Sequence, residues 1–169
     1  QHDGSRGYHN SLVRVDFDTY LLAYSGYRDD GYLSTFNIPS NGKSITKVKS
    51  YEFDSQQGRY MSLVQLDPNY FAVAYSHGYQ THKRQNTGWG SWIHTYAVPN
   101  DGSTITGIAS LRHNLHTSAN RDEALIKIDD DSYVLAFRGY KEDSPSHYKG
   151  VLKSFTIAKD GSTITQESV

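Results

Sequence analysis

Three loops of this chain carry the same small motif, Gly26-Tyr27-Arg28, Gly78-Tyr79-Gln80 and Gly139-Tyr140-Lys141. An aromatic ring beside a long polar or cationic side chain suits a sugar or another planar, polar ligand. The ring face packs on C–H surfaces, while the donor group binds hydroxyls or carboxylates. Between the second and third strand signals of the middle copy lie His77, His82, Lys83, Arg84, Asn86, Trp89 and Trp92, and the third copy adds His147 and Tyr148. The links that precede each copy contribute Arg6 with Tyr8, Arg59 with Tyr60, and His113, His116 and Arg121. From this set the candidate ligand-binding residues are Tyr27, Arg28, Arg59, Tyr79, Trp89, Trp92, Arg121, Tyr140 and Lys141. Two blander readings stand beside it: each Gly-Tyr pair simply ends a strand with the Tyr packing its own loop, or the aromatics anchor a protein partner.

Sharper chemistries find less support. His77 with His82, or His113 with His116, lacks a third fixed ligand, so no metal site is expected. Asp129-Asp130-Asp131 lacks the order of a calcium loop and reads as a solvated turn. Glu123, Glu142 or Asp143 could supply carboxylates for glycoside hydrolysis, but nothing in the sequence brings two of them together. There is no nucleophile-elbow context for a serine and no phosphate-cradling glycine loop, so no catalytic residue and no cofactor is expected.

The elements that must position these loops are stated three times. Ser11-Leu12-Val13-Arg14-Val15-Asp16 returns as Ser62 to Asp67 and as Ala124 to Asp129. Tyr20 to Tyr24 returns as Phe71 to Tyr75 and Tyr133 to Phe137, and Thr35 to Ile38 as Thr95 to Val98 and Ser154 to Ile157. Each copy closes on a Gly turn and Ser44-Ile45-Thr46, Thr104-Ile105-Thr106 or Thr163-Ile164-Thr165. Four strand signals recurring at about 50–60 residues predict an all-β chain, a β-propeller unit of three four-stranded antiparallel blades with almost no helix. The whole chain, residues 1–169, reads as one such unit. Its repeats run approximately over 9–59, 60–121 and 122–169, with residues 1–8 completing the edge of a neighbouring blade.

Within each repeat the turns after the first and third strands are tight, the latter built on Asn-Gly or Asp-Gly. The other two connections vary in length and emerge on the opposite face, so function is expected there. Arg14, Gln65 and Lys127 in the first strands are expected near the axis, lining a channel or pairing with neighbouring Asp residues. Three blades do not close a ring, since propellers have about four to eight. Two chains head to tail would close six, and the alternative is a longer polypeptide carrying the remaining blades.

The string (S/A)-L-(V/I)-x-(V/L/I)-D, then Y-x-L-A-Y, T-F-x-I and D-G-S-T-I-T, resembles a propeller repeat of uncharacterised secreted or surface proteins of marine microbes. The resemblance covers essentially all of the chain and implies the fold. In architecture the chain is also similar to fucose-binding lectins, which assemble six-bladed rings from short chains and place a Trp, an Arg and a Glu in every sugar site. Here Trp occurs only at Trp89 and Trp92, both in the middle repeat.

The totals agree with a globular domain. A net charge of −1, with 17 Lys and Arg against 18 Asp and Glu, makes no electrostatic case for nucleic acid or an anionic membrane. No apolar run approaches a membrane span, and the absence of Cys excludes disulfides and thiolate metal sites. The leading expectation is a non-catalytic, lectin-like module that binds glycans or another polar polymer at the cell surface or beyond it, acting as a homodimer. A glycan-active hydrolase or lyase, or an adhesion module that meets protein, are the alternatives.

Overall fold

A computed structural model describes residues 2–4, 6–77, 90–114, 121–141 and 144–167, with side chains for all of these except 140, 141 and 144–147. Among these residues twelve strands make three four-stranded antiparallel sheets. Blade 1 contains β1 (Tyr8–Arg14), β2 (Thr19–Ser25), β3 (Gly31–Asn37) and β4 (Thr46–Asp54). Blade 2 contains β5 (Arg59–Asp67), β6 (Tyr70–His77), β7 (Gly90–Ala97) and β8 (Thr106–Asn114). Blade 3 contains β9 (Arg121–Lys127), β10 (Ser132–Lys141), β11 (Ser144–Ile157) and β12 (Ile164–Gln166). In each sheet the strands follow chain order, and β1, β5 and β9 lie side by side, so the blades are arranged around their first strands. The only helical element among the described residues is a 3-10 turn at Tyr27–Asp29, and none of their helices is long and apolar enough to cross a membrane.

Repetition in sequence becomes repetition in bonding. The backbone N–H groups of Ile38, Val98 and Ile157 donate to the carbonyls of Asp18, Asn69 and Asp131, tying each first turn to the end of the third strand. Asn41, Asp101 and Asp160 each accept from the N–H two residues on, closing a turn whose Gly (Gly42, Gly102, Gly161) has φ between +65° and +72°. That backbone conformation is the reason a glycine stands there in all three copies.

The second strands β2, β6 and β10 carry apolar residues on both faces, and blade 2 is covered on both sides. One face of blade 1 (Val15, Leu21, Ala23, Leu33) packs on Leu63, Phe71, Val73, Tyr75 and Tyr96 of blade 2. The other face of blade 2 (Leu66, Ala72, Ala74, Ile93) packs on Leu125, Leu135, Phe137 and Phe155 of blade 3. Ala23 in β2 and Ala74 in β6 are fully buried in the two seams, where a small side chain lets the sheets approach closely. Two polar latches cross each seam. Ser11 Oγ accepts from Leu63 N at 3.0 Å, and Ser62 Oγ accepts from Leu125 N at 2.8 Å. Thr35 and Thr95 donate to the Gly102 and Gly161 carbonyls, both at 2.7 Å.

One seam position breaks the pattern. Blade 1 offers Phe53, whose ring meets Tyr75 at 5.0 Å, and Met61 lies in the same cluster. At the equivalent place between blades 2 and 3 stand His113, 5.2 Å from the Phe137 ring, and Glu123. Both side chains are fully buried, with His113 Nε2 3.9 Å from Glu123 Oε2, too far for a hydrogen bond. Ser76 donates to Glu123 Oε1 at 2.8 Å, but Glu123 Oε2 and both ring nitrogens of His113 have no hydrogen-bond partner. Burial lifts Glu123 to about 7 against hydrogen bonds from Ser76 and Ser91, and lowers His113 to about 3, with Lys153 adding to the effect. The pair is therefore neutral over most of the acid range, a buried polar contact rather than an ion pair.

Replacing such a pair by apolar residues of similar size removes its desolvation cost. The variant H113F/E123M, which copies Phe53 and Met61, is expected to be more stable by about 1–4 kcal/mol in urea or thermal melts. Its advantage should depend on pH in a definite way. Between the ordinary values of 4.5 for Glu and 6.5 for His the two linkages oppose each other: folding retains a proton on Glu123 and excludes one from His113. The gain should be flat there. It should grow below that window, as unfolded His holds a proton the folded state refuses, and above it, as unfolded Glu sheds the proton the folded state keeps. A variant no more stable than the parent would show that the pair is not a net cost.

Candidate functional site

In β7 alternate residues share a face, and Trp92, His94 and Tyr96 therefore point together toward blade 1. Pairing with β6 sets Tyr75 beside Trp92, and blade 1 closes the other wall with Tyr51, Phe53 and Asp54 from β4. The result is a groove along the seam between blades 1 and 2. It consists of two adjoining clefts of about 350 Å³ each, which share Phe53, His94 and Ser110. Its upper end, with His77, Trp92, Ser55 and Gln56, opens at the face bearing the variable connections.

Polar groups run along this aromatic wall. His94 sits between two phenols, Nε2 3.3 Å from Tyr75 Oη and Nδ1 3.1 Å from Tyr96 Oη. Burial holds its pKa down at about 4 despite the opposing charge of Asp54, so the ring is neutral at ordinary pH. One of its nitrogens must then donate and the other accept, which orients both hydroxyls. Burial also pushes both phenols up, with Asp54 adding to the effect, so they remain protonated. Asp54 Oδ2 lies 2.9 Å from His77 Nδ1. Its Oδ1 accepts from the N–H groups of Gln56 and Gln57, both at 2.9 Å. Burial favours the neutral acid, but these partners outweigh it and keep Asp54 below the usual carboxylate range. Trp92 meets the His94 ring edge-on at 5.8 Å, and the Arg112 guanidinium lies 6.0 Å from the Trp92 ring.

The next seam shows that the groove is particular to this one. Trp92, His94 and Tyr96 become Val151, Lys153 and Phe155 in β11, and Lys153 reaches along the seam to the His113 carbonyl at 2.5 Å and to Gln166 Oε1 at 3.2 Å. An extended lysine there occupies the line that His94 leaves lined but open.

Around the first strands a second cluster forms at the same face. Tyr27 and Arg28 lie on the 3-10 turn, with the Tyr27 ring exposed and the Arg28 guanidinium 5.0 Å from it. Their neighbour Asp29 is buried and held by Arg6 and Arg59, whose hydrogen bonds and charge outweigh burial and keep its carboxyl below the usual range. Tyr60 stacks obliquely on His9 at 4.2 Å, and Arg121 lies 6.0 Å from the Tyr60 ring. His9, Tyr60 and Asp122 occupy the same position of β1, β5 and β9, each with φ of +55° to +60° at a bulge in the pairing with the second strand. Three non-glycine residues in this sparsely populated region, each costing about 1–3 kcal/mol, re-aim the chain at the central mouth.

The sequence-predicted residues are thus dispersed among distinct settings. Trp92 lines the seam groove. Tyr27, Arg28 and Arg59 meet at the mouth through Asp29, and Arg121 reaches the same mouth through Tyr60. Asp54 joins the two regions, since its turn leads directly into Arg59. Tyr140 and Lys141 follow Gly139 at the end of β10, and their side chains lie outside those described. Tyr79 and Trp89 lie outside the described residues, as do His82, Lys83, Arg84, Asn86, His116, Glu142 and Asp143. Arg14 does not line a channel by itself: it binds the carbonyls of Asp16 and Phe17 in its own turn, and Lys127 reaches the Leu66 carbonyl. Asp54, Tyr75, His94 and Tyr96 escaped the loop-based reading because they lie within strands. The signal that finds them is the third strand compared copy by copy, where only the middle one reads Trp-x-His-x-Tyr.

No protein-family model and no curated protein matches the chain. Among solved structures it is similar to a protein of unknown function from Dyadobacter fermentans DSM 18053, at 15% identity and a TM-score of 0.52, over 85% of this chain and 36% of that one. It is also similar to an exo-1,5-alpha-L-arabinanase from a bovine ruminal metagenomic library, at 14% identity and a TM-score of 0.49, over 95% of this chain and 56% of that one. The chain spans little more than a third of the first protein and just over half of the second. The first likeness concerns the fold alone, and it agrees with the repeated four-stranded antiparallel sheets.

The electrostatics of the groove can be checked directly. A histidine-resolved NMR titration should place His94 at about 4, and Asp54→Asn, which removes the one charge that favours the imidazolium, should lower the midpoint further. A midpoint near the ordinary value of 6.5 would mean that the ring is solvated and that the groove is not walled as described.

Proposed function

We propose that this chain is a non-catalytic binding module for a glycan or similar polyhydroxylated polymer, held in the groove between blades 1 and 2. The observation that carries this reading is the pairing of an aromatic wall, Trp92, Tyr75 and Tyr96, with a line of hydrogen-bonding groups, His94, Asp54 and His77. Aromatic faces take up the C–H surface of a sugar, and oriented hydroxyls, imidazole and carboxylate take its hydroxyl groups. A groove open along its length accommodates a segment of polymer rather than only its end.

The same lining favours binding over hydrolysis. Most glycosidases need two carboxyl groups flanking the bond, one of them protonated. Among the described residues of the groove the sole carboxylate is Asp54, and its partners keep it ionised. At the central mouth, close to the upper end of the groove through residues 54–59, Arg6 and Arg59 share the single carboxylate of Asp29, and the excess positive charge would favour ligands bearing carboxylates.

Binding to a panel of neutral and uronate-containing polysaccharides, by affinity electrophoresis or calorimetry, tests the assignment. Trp92→Ala and His94→Ala should each weaken binding to the best ligand by at least about tenfold, as expected of buried contacts. Tyr27→Ala, at the mouth, should change it by less than about threefold. Loss of binding in Tyr27→Ala with none in Trp92→Ala would move the site to the mouth and sink the groove assignment. Release of reducing ends from any bound polymer, abolished by Asp54→Asn, would make the protein an enzyme instead.

A further inference from the structure

We infer that the two outer faces of the three-blade arc are complementary halves of one seam, and that a second copy of this chain fills them. The argument rests on the two seams already present, which fix what each position does when it is covered. On the free face of blade 3, Leu152 is 70% exposed, while its equivalents Leu33 and Ile93 are at 0%. Ile128 is 63% exposed against 8% for Val15 and 1% for Leu66. On the free face of blade 1, Leu12 is 55% exposed against 7% for Leu63 and 5% for Leu125, and Ile45 is 69% against 7% for Ile105. Blade 3 therefore lacks what blade 2 provides to blade 1, and blade 1 lacks what blade 2 provides to blade 3. The faces are different and matched, so each copy has both a donor face and an acceptor face.

The polar latches extend the same match. Ser154 stands where Thr35 and Thr95 stand, and Gly42, with open space around its α-carbon, stands where Gly102 and Gly161 receive those threonines. A Ser154 hydroxyl donating to the partner subunit's Gly42 carbonyl would reproduce the latch. The second latch is absent by sequence, because Ala124 replaces Ser11 and Ser62, leaving Leu12 N–H without its seam acceptor.

Residues 2–4 already sit as an edge from a preceding blade. His2 meets the Tyr24 ring at 5.0 Å, as Phe53 meets Tyr75 and His113 meets Phe137. Asp3 accepts from Arg6 N at 2.6 Å just as Asp54 accepts from Gln57 N. With a second copy docked, these residues would continue the fourth strand of the partner's blade 3, beyond β12. Two such seams, made head to tail, close six blades with no apolar blade face left uncovered, the outer fourth strands remaining as edges.

Light scattering and sedimentation of the 169-residue chain, from about 1 to 100 µM, test the proposal. The expected species has twice the mass of the 19.1 kDa chain. Leu152→Glu, at an exposed position that leaves the fold intact by circular dichroism, should raise the dissociation constant at least about 100-fold. Phe17→Ser, on a turn away from both faces, should leave it unchanged. Ala124→Ser restores the missing latch and should tighten association by about fivefold or more, the worth of one hydrogen bond. A monomer throughout the range would overturn the proposal. Mass rising without limit would also overturn it, since the seam would then not close. Dissociation with retained polymer binding would leave the groove assignment standing, because both walls of the groove come from one chain.

Discussion

The whole arrangement depends on the fact that a four-stranded sheet with two apolar faces cannot stand alone in water. Each fully exposed Leu or Ile forgoes about 1.5–3 kcal/mol relative to burial. A blade is therefore held by packing against a neighbour, and the seam, not the sheet, is the unit that holds the structure. Ala23 and Ala74, small residues buried in the two seams, bring the sheets close. The Ser and Thr latches then fix how one blade slides against the next, satisfying backbone groups that the apolar contact would otherwise strand.

Because every seam is built from the same positions, each serves as a control for the others. Phe53 and Met61 at one seam, against His113 and Glu123 at the next, show that the fold requires only a buried volume there. The His–Glu pair is thus an elective feature of that seam. By the same comparison the groove is a local departure: Val151 and Lys153 fill the place that Trp92 and His94 leave available. Features common to all copies belong to the scaffold. Function is to be sought where one copy differs.

Most of the scaffold was legible in the sequence because its determinants are local and repeated. Asn41-Gly42, Asp101-Gly102 and Asp160-Gly161 announce turns whose geometry admits little else, and the two-sided apolar run Phe71 to Tyr75 announces a covered strand. The site was less legible. Its residues are distant in sequence, Asp54 and Trp92 for example, and they meet only because two blades pack. Burial then makes His94 neutral and lifts Glu123, changes that no residue type declares. Arg59 illustrates the reverse. As a loop arginine beside a tyrosine it reads as a ligand contact, yet the fold gives it Asp29, a partner that sequence spacing does not reveal.

The strain at His9, Tyr60 and Asp122 follows from the same geometry. The first strands β1, β5 and β9 lie side by side, and each is bent at the same place near its upper end. A bulge with left-handed backbone interrupts each strand's pairing with the second strand, one residue in from its start. That bulge places Arg59 and Arg121 at the rim of the mouth rather than inside the core. The backbone cost recurs at each copy although the side chains differ, so it is imposed by the arrangement of the first strands and not by any one residue. The chemistry of the mouth is in this sense inherited from the fold, whereas that of the groove was added to it.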